Sequence, residues 1–380
     1  MNFGLTDEQK DIQNLANEIL GNEVTPDELH QYDMWAKERY NSKLWAQLTD
    51  AGLLGIAVPA DNGGMGFGFA ELALFLEECG RVLAPVPAVP SLVSALAVQK
   101  FGDAALQAML GGVATGEVVL TAAFHEEHTY DAFEAQLSAK DGKLHGTKLC
   151  VPYANIATRM LVVAKEGNEV ALFVVDPKDS SVTLTALKAT TYEPQFIVQF
   201  NNTPAQKLGG RDAVKFLVDH YTLALCAYQT GALEKMVQMT AQYTSEREQF
   251  NVKIATFQAV GHRVANCYMD AKCLKLVTLQ AIDRLASGAD ASAEIHAAKM
   301  WLGDAAHRTS YATQHLHGGM GVDRDYPLWR FALWAKQNEL TLGSSTQHQI
   351  KLAELIAAGD YDIDWYPPLS IYSLFIFFIF

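Results

Sequence analysis

The residues with the most chemistry to offer in this 380-residue sequence lie in its second half: Arg247-Glu248-Gln249-Phe250, then Phe257-Gln258 and His262. Arg247 falls at the end of an apolar-periodic stretch, where it could bring a planar guanidinium fork to a diphosphate, a geometry Arg supplies better than Lys. An Arg in that place can equally complement the negative end of a helix dipole. Further on, Gln314-His315-Leu316-His317-Gly318-Gly319-Met320-Gly321 puts two histidines at a helix end followed by a glycine stop. No bundle helix carries the Glu-x-x-His pairs of a carboxylate di-metal site, so no metal is expected. No Gly-x-Ser-x-Gly elbow marks a serine nucleophile. Asp325, in Asp323-Arg324-Asp325-Tyr326-Pro327, is an acid just before a helix, the common place for a capping or first-turn carboxylate.

The elements that must position these residues change character twice. Thr6 with Gln9 forms a capping box before Ile12, Leu15, Ala16, Ile19 and Leu20 at helical spacing. Helices are expected over 42–51, 69–82 and 91–100, the last two separated by Pro85, Pro87 and Pro90. The glycine-rich loop 55–66 has no strand before it, so it reads as a turn-rich connection, not a dinucleotide cradle. From Val118 short alternating runs (118–120, 133–139, 144–151, 160–164, 170–175, 182–187, 196–200) are separated by turn chemistry such as Asp141-Gly142 and Asn201-Asn202. Such strands without intervening helices predict an antiparallel sheet or small barrel. From Arg211 helices are expected over 213–244, 256–286, 291–317 and 326–358, an antiparallel four-helix bundle. The class is α+β: a helical domain over 1–115, a β domain over 116–205, the bundle over 206–360 and an apolar tail over 361–380.

With 49% apolar residues the chain can bury large cores, and its net charge of −14 argues against a nucleic-acid partner. The five cysteines form no Cys-x-x-Cys and read as small buried hydrophobes in a reducing compartment. The start has no basic and apolar signal region, so the cytoplasm is the expected location. The ten-residue run Ile371 to Phe380 is short of the roughly 20 residues of a spanning helix.

The Arg247, Phe250, Phe257-Gln258 and His262 run, with the Gln314 to Gly321 run, resembles the flavin-binding signature of the acyl-CoA dehydrogenase family. The order of helical domain, β domain and bundle is similar to that family's fold over nearly all the chain except the tail. Asn251 departs from it, standing where the family usually has Gly. The resemblance implies FAD and an acyl-CoA substrate that loses its α-hydrogen as a proton to a carboxylate and its β-hydrogen as a hydride to flavin. By motif match, Arg247, Phe250 and Gln258 would contact the flavin nucleotide of a neighbouring subunit. Gln314, Gly318 and Gly319 would let backbone approach the diphosphate closely. Ser344 stands for a family Thr that contacts the cofactor and keeps its hydroxyl.

The catalytic side departs further. The family's base motif, Tyr-Glu-Gly-Thr, corresponds to Thr341-Leu342-Gly343-Ser344, so Leu342 occupies the base position. The alternative base position on the first bundle helix is Tyr221, with Thr222 in place of an Arg. In the β domain only Glu126 of the substrate-contacting run is retained, with His125 and His128 read as loop histidines. Cys150 stands for the flavin-shielding aromatic and Pro152 for a hydroxyl residue. A bacterial branch of the family places an acid near Asp325, which is the one displaced base the sequence offers. The chain is thus similar to the base-lacking subunit of bacterial heteromeric dehydrogenases acting on steroid side-chain CoA thioesters. The implied partners are an acyl-CoA, a homologous subunit in a heterotetramer, and an electron-transferring flavoprotein. A self-sufficient homo-oligomer using Asp325 is the alternative.

Overall fold

The computed structural model describes residues 4–129 and 131–359; the apolar tail call falls outside them. The N-terminal part is helical: α1 (Asp7–Glu23), α2 (Pro26–His30), α3 (Ser42–Asp50), α4 (Phe69–Val82), α5 (Ala88–Phe101), α6 (Ala104–Gln107) and α7 (Leu110–Ala114). The Thr6 and Gln9 capping box forms as the spacing requires, at 3.2 and 3.1 Å. It fixes the start of α1, whose Ile12, Ala16 and Leu20 are buried.

Eight strands make one sheet: β1 (Leu120–Ala123), β2 (Ser138–Lys140), β3 (Lys143–Pro152), β4 (Arg159–Glu166), β5 (Glu169–Val175), β6 (Val182–Lys188), β7 (Pro194–Pro204) and β8 (Gln206–Gly209). Its order is β6-β7-β3-β2-β4-β5-β8, with β1 also on β4. The expected antiparallel pairing holds except along one edge of β4, where β1 and β2 both run parallel to it. The sheet is therefore mixed. The strand expected over 133–139 forms only at its end, as β2 from Ser138; its start lies in a 3-10 turn, Ala132–Glu134, because the Asp131 carboxylate accepts the Phe133 N–H at 3.0 Å and bends the chain. Alternation on β4 splits its side chains between two cores: Leu161 and Val163 join the main core shared with the helices, while Met160, Val162 and Ala164 join a smaller one on the other sheet face.

The C-terminal part is built of α8 (Arg211–Glu246), a two-stranded hairpin of β9 (Glu248–Gln249) and β10 (Val252–Lys253), then α9 (Gln258–Ala286), α10 (Ser292–His317), α11 (Leu328–Leu340) and α12 (Ser345–Ala358). The single helix expected over 326–358 is two. Thr341 is extended, Leu342 has φ +59° and Gly343 φ +106°, and Ser344 starts the next helix by donating its N–H to Gln347 Oε1 at 2.7 Å. The N-terminal helices are locked to the bundle where α4 crosses α8. A Cβ on Gly80 would lie 1.8 Å from the Tyr228 carbonyl oxygen, and one on Gly231 1.9 Å from that of Glu77, so both backbones need glycine there.

Candidate functional site

Most of the sequence-predicted residues fall into two separate places. The first is a cavity of about 480 Å3 where all three parts of the chain meet. Its walls are the α4–α5 turn from Ala84 to Pro90, the end of β1 with His125 and Glu126, the end of β3 from Leu149 to Pro152, the β6–β7 connection, and faces of α8 and α11. Most of the lining is apolar, with Val86, Val89, Phe124, Leu225 and Trp334 prominent.

Neither family base position offers a carboxylate to this cavity. Leu342 is 7% exposed, just beyond lining residue Thr341, and its carbonyl accepts from His348 Nε2 at 2.9 Å. Tyr221 packs edge-on against Phe124 at 5.1 Å, and burial pushes its phenol far above the ordinary range. Asp325 is exposed and outside the lining. Its N–H donates to Asp323 Oδ1 at 3.0 Å, and α11 begins three residues later behind Pro327 with no side-chain cap. The structure thus gives Asp325 neither the capping role nor a place beside the cavity.

Glu126 does reach the lining, but its carboxylate is engaged by the protein itself. It accepts from Lys148 Nζ at 2.6 Å and from the N–H groups of Gln136 and Leu137 at 2.8 and 3.1 Å. The Lys148 side chain is wholly buried and also donates to the Phe124 carbonyl at 3.0 Å. Desolvation lowers its pKa to about 8, against the pull of Glu126. This pair pins the β1–β2 loop to β3 and leaves Glu126 as a fold-holding acid. His125 beside it is held neutral, its pKa lowered to about 4 by burial and the nearby Lys148 cation. His128 is an exposed loop residue with φ +64°.

The sequence reading missed Glu193, the other acid of the cavity. It is 9% exposed at the start of β7, and burial raises its pKa. Its Oε2 accepts from Gln195 Nε2 at 2.8 Å and Gln337 Nε2 at 2.6 Å, and Gln337 in turn accepts from the Thr191 hydroxyl at 2.6 Å.

The second place is the end of the bundle. Arg247 is the C-cap of α8, exposed, with its N–H on the Tyr243 carbonyl at 2.8 Å. The hairpin that follows turns through Phe250 and Asn251, at φ +55° and +62°, which explains why a glycine suits the Asn251 position; Asn is among the few other residues that tolerate it. Phe250 is 88% exposed and touches Phe257 edge-on at 6.3 Å. Gln258 opens α9 on the same exposed segment. One turn before Arg247, Tyr243 stacks on His317 at 4.3 Å, which brings the Gly318-Gly319 turn to the same end. Gln314 donates to the Gly321 carbonyl at 3.3 Å. Gly318 has φ +59°, and nothing lies within 4 Å of a Cβ built on Gly318 or Gly319, so that surface is open to close approach. Ser344, by contrast, caps α12 behind the base-position turn, apart from this cluster.

A cation, an exposed aromatic, an amide and an open glycine turn at one bundle end suit the diphosphate of a flavin nucleotide, and their exposure suits a nucleotide held mainly by another subunit. The cavity suits a flavin ring less well: Cys150 and Pro152 line it, and Pro152 has no N–H to give.

Comparison with known proteins agrees with both halves of the chain. Residues 209–356 match the model of the acyl-CoA dehydrogenase C-terminal domain and residues 6–117 that of its N-terminal domain. The acyl-CoA dehydrogenase FadE27 of Mycobacterium tuberculosis is 36% identical over 359 residues, covering 91% of this chain and 96% of that protein. FadE28 of the same organism is 28% identical over 356 residues, covering 93% and 98%. Among solved structures, the Tcur3481-Tcur3483 steroid ACAD superposes with a TM-score of 0.89 at 35% identity, covering 93% of this chain and 99% of that one. The ChsE4-ChsE5 complex from Mycobacterium tuberculosis gives 0.87 at 34%, covering 94% and 99%.

Proposed function

Because the chain belongs to the acyl-CoA dehydrogenase family, we propose that it is the cofactor-completing, non-catalytic subunit of a heteromer that dehydrogenates a bulky acyl-CoA thioester. The observation that carries this reading is the separation of its two places. Arg247, Phe250, Gln258, Gly318 and Gly319, at the nucleotide-contacting positions of the motif the chain resembles, are exposed, while the base positions hold Leu342 and Tyr221. Neither can take an α-proton at neutral pH.

Bound FAD would supply the hydride acceptor. This chain's part is to bind and orient. Arg247 would hold the diphosphate of a cofactor shared with the partner, Phe250 would lie against its nucleotide, and the Gly318-Gly319 turn would let backbone approach it. The α-proton would then be taken by a carboxylate that the partner supplies. Two-component names among the similar structures, one of them a steroid ACAD, support a heteromer and a bulky acyl group.

The test is a flavin titration of the purified chain, alone and co-expressed with a homologous dehydrogenase that carries the family's Glu, followed by anaerobic addition of acyl-CoAs including a steroid type. Flavin retention and bleaching should appear only with the partner. Bleaching of flavin by the chain alone would overturn the reading.

A further inference from the structure

The two ends of the sheet are finished differently. β8 is four residues long, meets β5 across a register shift and carries Lys207, ion-paired with Glu166, so it offers little to another strand. β6 ends the sheet with none of these guards. Its seven residues, Val182-Thr183-Leu184-Thr185-Ala186-Leu187-Lys188, pair with β7 in unbroken register from Val182 opposite Phe200 to Lys188 opposite Pro194. They include no proline and no charge before Lys188, and no described strand lies on their outer side. The direction of the free backbone groups follows from one bond. The Asn201 N–H donates to the Ser181 carbonyl at 3.1 Å, so the odd-numbered residues of the strand turn their backbone groups to β7. Alternation then turns outward the N–H and C=O of Leu184, Ala186 and Lys188 and the carbonyl of Val182, whose own N–H donates to the Asp179 carbonyl at 3.0 Å.

From this geometry we infer that β6 is a self-association edge, on which a second copy of this chain pairs antiparallel about a two-fold axis through Thr185. Val182 then lies opposite the copy's Lys188, Thr183 opposite Leu187, Leu184 opposite Ala186, and Thr185 opposite itself. In this register the outward groups meet each other. Leu184 and Ala186 exchange N–H and C=O across the axis, and each Lys188 N–H donates to a Val182 carbonyl. Every side chain stays on its own sheet face, so Val182 and Leu184, which pack against the smaller core, continue into the copy's Ala186. The two Lys188 ammonium groups fall at opposite ends, roughly 20 Å apart and beyond a Debye length, so the strand's one charge does not oppose itself. An unrelated strand would meet the hydrogen bonds alone; a second copy also matches the edge in length, facing and charge, as an isologous contact requires. No residue of the cofactor reading enters the inference.

The experiment compares disulfide formation in two variants of the full chain, Thr185→Cys and Thr183→Cys, both at exposed positions on one face of the strand. Across the axis Thr185 meets itself in a non-hydrogen-bonded pair, with Cα atoms about 4.5 Å apart and within disulfide reach, whereas two copies of residue 183 lie roughly 14 Å apart. Under mild oxidation Thr185→Cys should give a covalent homodimer at least about tenfold faster than Thr183→Cys, once the rate of wild type, with its exposed Cys150, is subtracted. Ala186→Pro removes an outward N–H that β7 does not use, as an edge strand tolerates. Added to Thr185→Cys, it should bring the rate down to that of Thr183→Cys at an unchanged melting temperature. If Ala186→Pro does not fold, the two cysteines decide alone. Equal rates for them, no dimer from either, or a Thr185→Cys rate that Ala186→Pro leaves unslowed in a folded chain would overturn the inference.

Discussion

Arg247→Ala separates a cofactor role from a helix-end role by magnitude. No described residue accepts a hydrogen bond from the Arg247 guanidinium, and its backbone is held independently by the Tyr243 carbonyl and by the Ile254 N–H, at 2.8 and 2.9 Å. Truncation at such an exposed position should change the stability of the isolated chain by no more than about 0.5 kcal/mol. A charge-assisted bond to phosphate contributes roughly 1.5–3 kcal/mol, so flavin affinity of the heteromer should fall by roughly ten- to a hundredfold. Arg247→Lys should lie between, since it keeps the charge and loses the fork. Urea unfolding of the isolated chain gives the first quantity, and FAD titration of the apo-heteromer by quenching of flavin fluorescence gives the second. An unchanged flavin affinity refutes the assignment. A loss of more than about 1 kcal/mol in the isolated chain would mean that Arg247 serves the helix dipole instead.

Gly319→Leu should be equally silent in the isolated chain, where a Cβ meets nothing within 4 Å, yet abolish flavin retention in the heteromer; flavin content as purified reads it. Glu126→Gln leaves buried Lys148 without its counter-charge and should cost about 3–5 kcal/mol in urea unfolding, a cost largely absent from a Glu126→Gln/Lys148→Met pair, whose amide oxygen still accepts from the Gln136 and Leu137 N–H groups. A loss below about 1 kcal/mol would return Glu126 to the substrate-contacting candidates. Stability should fall as pH drops from about 6.5 to 4, because burial lowers the pKa of His125, His220 and His296 to about 4 and that of His348 to about 3. In that window the unfolded chain binds more protons, so their stabilisation is present above pH 6.5 and is lost on acidification. Buried acids raised by desolvation, Glu77, Glu193 and Asp219, oppose part of it. His348→Asn should reduce the pH slope of the unfolding free energy by up to one proton, and a slope unaltered from wild type would show that this ring is not buried neutral.

What the sequence made legible follows from what is local. The capping box at Thr6, the helix over 69–82 and the glycine stop after His317 each depend on residues a turn apart, and each forms where the spacing puts it. The break after Leu340 was also local: Gly343 followed by Ser344 and, three residues on, Gln347 is a stop and a capping signal, masked by apolar spacing that continues through Leu340 and Leu342. Pairing of β1 with β4 joins residues about forty positions apart and left no such mark. Lys148 lies between these cases. It shares the inward face of β3 with Leu144, and a lysine on an inward strand position needs an acid inside the fold, which points to Glu126 as its partner before any substrate does. Glu193 had no equivalent signal. It sits between Tyr192 and Pro194 at a strand start, where acids are usually solvated, and only the closing of α11 over it, through Gln337 from 144 residues away, turns it into a buried acceptor facing a cavity.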